Sequence, residues 1–158
     1  MRTTLKLLGL LYCVVGLNSL PAKAAANCSI STAGVAFGAY DSLGGTRRDT
    51  IGTVTVTCMG NVGDSASYSI ALDTAGNQGV YRLMTNGTHQ LDYLIFADNS
   101  YTQVWGDGSG GTVVVTDSFT LVTPQASHSY PMYGRIPGGQ SRVPSGVYGA
   151  DITITLIY

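Results

Sequence analysis

The chain has 158 residues, with 8 basic and 9 acidic side chains and 21 glycines, and its formal net charge at pH 7 is −1. After residue 26 it carries arginine and aspartate but neither lysine nor glutamate, and the net charge of that part is about −4. This acidic balance disfavours nucleic acid, which calls for a basic face, and anionic membrane surfaces. Thr, Val, Ile, Tyr and Gly dominate the composition, which favours strands joined by tight turns.

The N-terminus has the three parts of a secretory signal peptide. A positively charged start precedes an apolar run over residues 7–17, and small residues then satisfy the A-x-A cleavage rule at two places, ending at Ala24 and Ala26. A helix that spans a bilayer needs roughly 20 apolar residues, and this run is shorter. We therefore predict a cleaved signal peptide over residues 1–26 and one mature domain over residues 27–158.

The cysteines predict a disulfide bond. Cys13 leaves with the signal peptide, so Cys28 and Cys58 remain as an even number in an exported chain, where a disulfide is the usual outcome. The alternative is a metal-binding or redox pair. The wide spacing of the two cysteines and the presence of only 2 histidines in the chain make that alternative weak.

Apolar and polar residues alternate with the period of two that is typical of strands. Val54, Val56 and Cys58 share one face of a segment whose other face carries threonines, so Cys58 is predicted to point inward. Similar alternation, or a short apolar run, predicts further strands within residues 67–72, 91–96, 112–122, 129–136 and 152–158.

The last of these segments alternates most clearly. One of its faces carries Ile152, Ile154, Leu156 and Tyr158. Turn signals such as Asn-Gly and Gly-Gly pairs separate the segments, and no segment has a helical period. Short strands at this spacing predict a single all-β domain, either a sandwich or a barrel.

The sequence carries no convincing motif for catalysis or cofactor binding. Residues 106–111 match G-x-G-x-x-G, but a strand-like sequence follows them, whereas a dinucleotide site needs a helix there. The chain has no G-x-S-x-G elbow, and neither His89 nor His128 has an acidic partner at a telling spacing. The sequon at Asn86 is interpreted as a turn. We therefore expect no enzyme activity, no cofactor and no metal site.

The order of the segments resembles the spore coat protein U domain, a family that includes subunits of archaic chaperone–usher pili. The resemblance extends over nearly all of the mature chain. It depends on several short motifs in a fixed order: Cys28, the segment 35–41, the Val-Thr strand that ends at Cys58, and then 68–72, 82–84, 91–94, 105–108, 133–136 and 146–148 before an alternating strand.

The resemblance implies an immunoglobulin-like β-sandwich that lacks its last strand and is completed by a donor strand. A periplasmic chaperone strand would fill the resulting groove first, and an outer-membrane usher and neighbouring pilin subunits would be the later partners. The protein would then be exported through the periplasm to the cell surface. The alternative from the residues alone is a complete sandwich that ends on an ordinary strand.

The same resemblance predicts which residues line the groove and where the subunit lies in a fibre. The predicted groove residues are Val35, Phe37, Ile152, Ile154, Leu156 and Tyr158. Gly149 and Ala150 depart from the family pattern before the last strand and make its start uncertain. Because few residues precede Cys28 after cleavage, we expect a subunit that accepts a strand without donating one, at the tip of the fibre or as a minor component.

Two main alternatives remain open at this point. The chain is either a pilus subunit with a structural or adhesive role, or a secreted coat or binding module of the same fold that does not polymerise. A third, a small outer-membrane barrel, is disfavoured because strands such as the segment 54–58 would carry threonines outward, where lipid demands an apolar band. For adhesion, the loop over residues 101–111 is a candidate contact surface with Tyr101 and Trp105, because exposed aromatic side chains are enriched at interfaces. In the alternative interpretation of this loop, Trp105 packs in the core.

Overall fold

The structure is a computed structural model that describes residues 25–73 and 80–158, in which it shows eight strands and no helix. The strands are β1 Asn27–Ala33, β2 Arg48–Met59, β3 Ser65–Leu72, β4 Arg82–Asn86, β5 His89–Phe96, β6 Val115–Thr120, β7 Gln125–Ile136 and β8 Ile154–Ile157. The predicted signal peptide lies almost wholly outside the described residues and stays a prediction.

The strands form two antiparallel sheets. The larger sheet has the order β1-β2-β7-β5-β4, and the smaller has the order β6-β3-β8. Side chains from the inner faces of both sheets form one core, as expected when two sheets pack face to face. The prediction of an all-β, immunoglobulin-like sandwich is confirmed.

Alternation along β2 positions the centre of the core. Val54, Val56 and Cys58 are at most 1% exposed, and the threonines between them lie on the outer face. Cys28 lies directly opposite Cys58 in the β1–β2 pair, and the two sulfur atoms form a disulfide bond. The predicted link between the first two strands is therefore present in the structure.

Trp105 joins the two sheets at the other end of the core. Its side chain is fully buried, and its indole Nε1–H donates a hydrogen bond of 2.9 Å to the carbonyl oxygen of Ile70 on β3. Its own backbone N–H donates to the carbonyl of Ile95 on β5. A buried tryptophan usually finds such a partner for its N–H. Here the indole N–H and the backbone N–H of Trp105 together fix its loop to both sheets.

The outer face of the larger sheet carries an ion pair between β2 and β7. Arg135 donates from Nε and Nη2 to the two carboxylate oxygens of Asp49, at 2.7 and 2.8 Å. Its guanidinium also lies 3.7 Å from the ring centroid of Tyr101. Bidentate pairing of this kind is the stronger form of a surface ion pair.

Acid is expected to weaken the pairing of Asp49 with Arg135. The hydrogen bonds from Arg135 hold the pKa of Asp49 below its ordinary value of 3.8. Stability from a carboxyl with a depressed pKa is present above the unfolded-state pKa and is lost as the pH falls through the folded-state pKa. Urea denaturation should therefore show that the free energy of unfolding falls as the pH drops below about 4. In Asp49→Asn this dependence of the free energy of unfolding on pH should be shallower. An unchanged slope in that variant would contradict the assignment.

Candidate functional site

An apolar groove lies between the larger sheet and the end of the smaller one. Its volume is about 1010 Å³. One wall is the segment 34–43 after β1, and the other is the segment 143–154, which leads into β8. The floor consists of inner-face side chains of β4, β5 and β7, namely Met84, Leu91, Tyr93, Met132 and Ile136.

The β8 wall has an unpaired edge. β8 pairs with β3 in the register from Ser69 opposite Ile157 to Leu72 opposite Ile154, and no other strand of the described residues pairs with it. Ile152, Ile154 and Leu156 are partly buried and pack against the core, as the alternation predicts. Tyr158 is 66% exposed, so it does not continue this buried row.

The opposite wall is an extended segment without strand pairing. Phe37 is buried and packs edge-on against Tyr93 with ring centroids 5.9 Å apart. Its carbonyl oxygen accepts a 2.9 Å hydrogen bond from Nε of Arg48. Val35 lies over Gly134 of β7, where any added Cβ would collide with the valine side chain. Glycine at position 134 therefore allows the wall to approach the sheet.

Hydrogen bonds anchor both walls of the groove, and one of them, from Ser42 to Val143, joins the walls directly. The Tyr40 hydroxyl donates to the carbonyl of Pro137 at 2.8 Å, and the Ser42 hydroxyl donates to that of Val143 at 3.1 Å. Thr85 of β4 and Gly149 exchange backbone hydrogen bonds. At the far end of β8, the Tyr158 hydroxyl donates to Oδ1 of Asn27 at 3.4 Å. This last bond lies beyond the residues that line the groove.

Four of the six predicted groove residues line this cavity, and two do not. Val35 and Phe37 belong to one wall, and Ile152 and Ile154 belong to the other. Leu156 packs against the core farther along β8, and Tyr158 bonds to β1. The role of these residues in binding a donor strand stays a prediction.

The floor of the groove was not predicted from the sequence. Leu91 and Tyr93 alternate along β5, and Met132 and Ile136 alternate along β7, so strand period alone could have placed them on inner faces. It could not have shown that they face an open cavity. Burial raises the pKa of Tyr93, in keeping with its position on the floor.

The candidate contact loop divides into a buried and an exposed part. Trp105 is fully buried, so the alternative in which it packs in the core is the one that the structure shows. Tyr101 stays partly exposed, with a backbone φ of 57°, an uncommon value for a residue other than glycine. Asp98 fixes this turn, because its carboxylate accepts hydrogen bonds from Thr102 and Gln103.

The sequence also did not reveal a polar site, the buried guanidinium of Arg82. It donates 2.8 Å hydrogen bonds to Oδ1 and to the carbonyl oxygen of Asp73. A third bond reaches the carbonyl oxygen of Trp105. Arg82 is the first residue of a short strand. The family resemblance includes the segment 82–84, but it does not indicate that the guanidinium is buried.

The described residues contain no group of three or more His, Cys, Asp or Glu side chains that could hold a metal ion. The glycine-rich loop 106–111 leads toward the strand β6, and in the described part of the chain no helix begins after it. Within residues 25–73 and 80–158, no helix has the length and apolar character needed to cross a membrane.

Comparison with known protein families shows which family the chain belongs to. The family described as the Spore Coat Protein U domain matches residues 15–155. The chain belongs to this family. The resemblance to spore coat protein U that was inferred from the order of the motifs is therefore confirmed. A search of curated proteins found no match to the chain.

A solved structure with a similar fold comes from a pilus system. It is the crystal structure of the CsuC–CsuE chaperone–tip adhesion subunit pre-assembly complex from archaic chaperone–usher Csu pili of Acinetobacter baumannii. The TM-score is 0.56 at 20% identity, and the match covers 84% of this chain and 40% of that chain. The likeness supports the sandwich fold, and the present chain spans about two fifths of the matched chain.

Proposed function

We propose that this chain is a structural or adhesive subunit of an archaic chaperone–usher pilus and that it accepts a donated β-strand in its groove. The observation that carries the proposal is the apolar groove beside the unpaired edge of β8. An exposed strand edge is a template for pairing with another chain, and proteins cover such edges. A donated strand is one way to cover it.

The chemistry of the groove defines the strand that it would accept. Main-chain hydrogen bonds to β8 would supply affinity, and alternate side chains would enter the cavity. Because the floor is made of Met, Leu, Tyr and Ile side chains, the entering side chains would be apolar. Each large apolar side chain that leaves water there contributes about 1.5 to 3 kcal/mol.

The partners follow from the same groove. A periplasmic chaperone would supply the first strand, and a neighbouring subunit would replace it during assembly at an outer-membrane usher. The solved complex with the similar fold pairs a chaperone with a tip adhesion subunit. By extension, we propose a tip or minor position for this chain at the cell surface and no catalytic role.

A charge placed inside the groove should weaken strand binding. The change is Ile154→Asp, and the probe is a synthetic peptide of about ten residues with valine at alternate positions and threonine or lysine between them. Losing one apolar contact of about 1.5 to 3 kcal/mol predicts at least a tenfold weaker Kd. Isothermal titration calorimetry with the oxidised domain measures it.

Thr155→Asp is the matched control, because Thr155 is exposed on the opposite face of the same strand. It should leave the Kd within about twofold. Val35→Asp, on the unpaired wall, provides a second groove variant if Ile154→Asp proves unfolded by circular dichroism. Equal affinity for the groove variants and the control would refute strand acceptance at this site. Electron microscopy of the expressing cells then separates a fibre subunit from a coat or binding module that does not polymerise.

A further inference from the structure

A two-sheet sandwich has two open sides, and only one of them is the groove described above. Packed sheets lie about 10 Å apart and neighbouring strands about 4.8 Å apart, so each open side leaves room for roughly one added strand. The first side is the groove, which lies beside the unpaired edge of β8. The second lies between β6 and the first half of β7.

The second side is open at the level of the backbone. β6 pairs with β3 along one edge only. β5 pairs with β7 only from Tyr133 to Arg135, so the segment 125–132 of β7 pairs with β2 alone. In the part of the chain that the structure describes, no strand pairing joins β6 to β7. Backbone geometry therefore does not distinguish this side from the groove.

Side chains distinguish the two sides. The Asp117 carboxylate on β6 accepts a 2.6 Å hydrogen bond from the Tyr130 hydroxyl and lies 2.6 Å from Nδ1 of His128, both on β7. The hydroxyls of Tyr130 and Tyr68 are 2.6 Å apart. The His128 ring stacks on Phe119 with centroids 4.3 Å apart. This network, which we call the polar brace, links β6 to β7 and β3 through side chains.

An entering strand would have to break the polar brace. Its apolar side chains offer no hydrogen bonds to replace those of Asp117 and Tyr130, and unsatisfied polar groups in a partly buried place are costly. The hydrogen bond from Tyr130 is the main reason that the pKa of Asp117 is lowered, so the carboxylate is charged at neutral pH. An inward-pointing charge is an established way to protect a strand edge.

We propose that Asp117, His128, Tyr130 and Tyr68 determine specificity by closing the β6–β7 side to strands, so that the subunit accepts a strand only beside β8. The inference depends on the proposed strand acceptance. It explains how a sandwich with two backbone-open sides offers a single place for a donated strand. The brace acts by excluding strands from one side and contributes no contact to the accepted strand.

The test replaces the brace by apolar side chains and maps where a strand binds. The variant is Asp117→Val with His128→Val, and the probe is the alternating peptide with a central benzoylphenylalanine photocrosslinker. Mass spectrometry of the digested products locates the crosslinks. The unaltered domain should crosslink beside β8 only, and the variant should gain crosslinks to β6 and β7 by at least about tenfold, equivalent to 1.4 kcal/mol.

The matched control is Ser118→Val with Ser129→Val, because both serines are exposed on the outer faces of the same two strands. It should crosslink like the unaltered domain. If the double brace variant is unfolded by circular dichroism, His128→Leu alone takes its place under the same criterion.

Each remaining outcome is decisive. Crosslinks that stay beside β8 in the brace variant would overturn the inference and leave the proposed function standing. Crosslinks on both sides of the unaltered domain would also overturn it. An unaltered domain without crosslinks on either side would refute strand acceptance, and the inference with it.

Discussion

Removal of the disulfide bond is expected to lower the free energy of unfolding by about 3 to 4 kcal/mol. The bond joins residues 30 positions apart, and the chain-entropy account assigns a loss of this size to a loop of that length. The change is Cys28→Ala with Cys58→Ala, which avoids burying serine hydroxyls in the core. Urea denaturation followed by Trp105 fluorescence measures the difference.

The unaltered domain under reducing conditions serves as the control for the cysteine variant. It should lose a similar amount of stability, because β1 and β2 stay paired in register and only the constraint on the unfolded chain is removed. A loss below about 1 kcal/mol in both would show that the bond does not limit the unfolded state. A loss in the alanine variant alone would assign the effect to packing.

The alternation of apolar and polar residues predicted strands correctly where it is strong. It gave wrong strand bounds where a turn, or pairing with another strand, determines the local structure. β2 and the buried face of β8 follow from alternating Val-Thr and Ile-Thr residues. The predicted strand at 112–122 is shorter, Val115–Thr120. Thr112 bonds within the preceding turn, with its hydroxyl donating to the carbonyl of Ser109. Val113 instead bridges to Trp105.

The first half of β7 shows a different limit. The strand was predicted from residue 129, but it begins at Gln125. Its early inner face carries Ala126 and His128, which are too small or too polar to produce an apolar period. Pairing with β2 along its whole length fixes it as a strand. Tertiary pairing here overrides local propensity.

The groove could be only partly predicted for a related reason. Val35 and Ile152 are far apart in sequence, and their position on opposite walls depends on the topology of two sheets. The family resemblance supplied those residues, whereas the floor required the fold. The polar brace could not be predicted from the sequence either. His128 on β7 and Asp117 on β6 become neighbours only because the two strands belong to different sheets that face each other.

Trp105→Ala is expected to lower the free energy of unfolding by about 3 to 5 kcal/mol. The indole is fully buried, and its loss leaves a cavity and frees the carbonyl of Ile70. Tyr101→Ala, in the same loop, should cost only about 1 kcal/mol, because it removes a partly exposed ring stacked on Arg135. Far-UV circular dichroism in urea follows both variants without relying on tryptophan fluorescence.

Trp105→Ala and Tyr101→Ala together also distinguish a role of this loop in adhesion from a role in the stability of the domain. If Tyr101 contributes a contact surface, Tyr101→Ala should reduce attachment of folded protein to a surface while its unfolding curve barely moves. Trp105→Ala should reduce attachment only to the extent that the domain unfolds. A loss of stability from Trp105→Ala no larger than that from Tyr101→Ala would contradict the burial of Trp105 between the sheets, and with it the way in which this loop fixes β3 to β5.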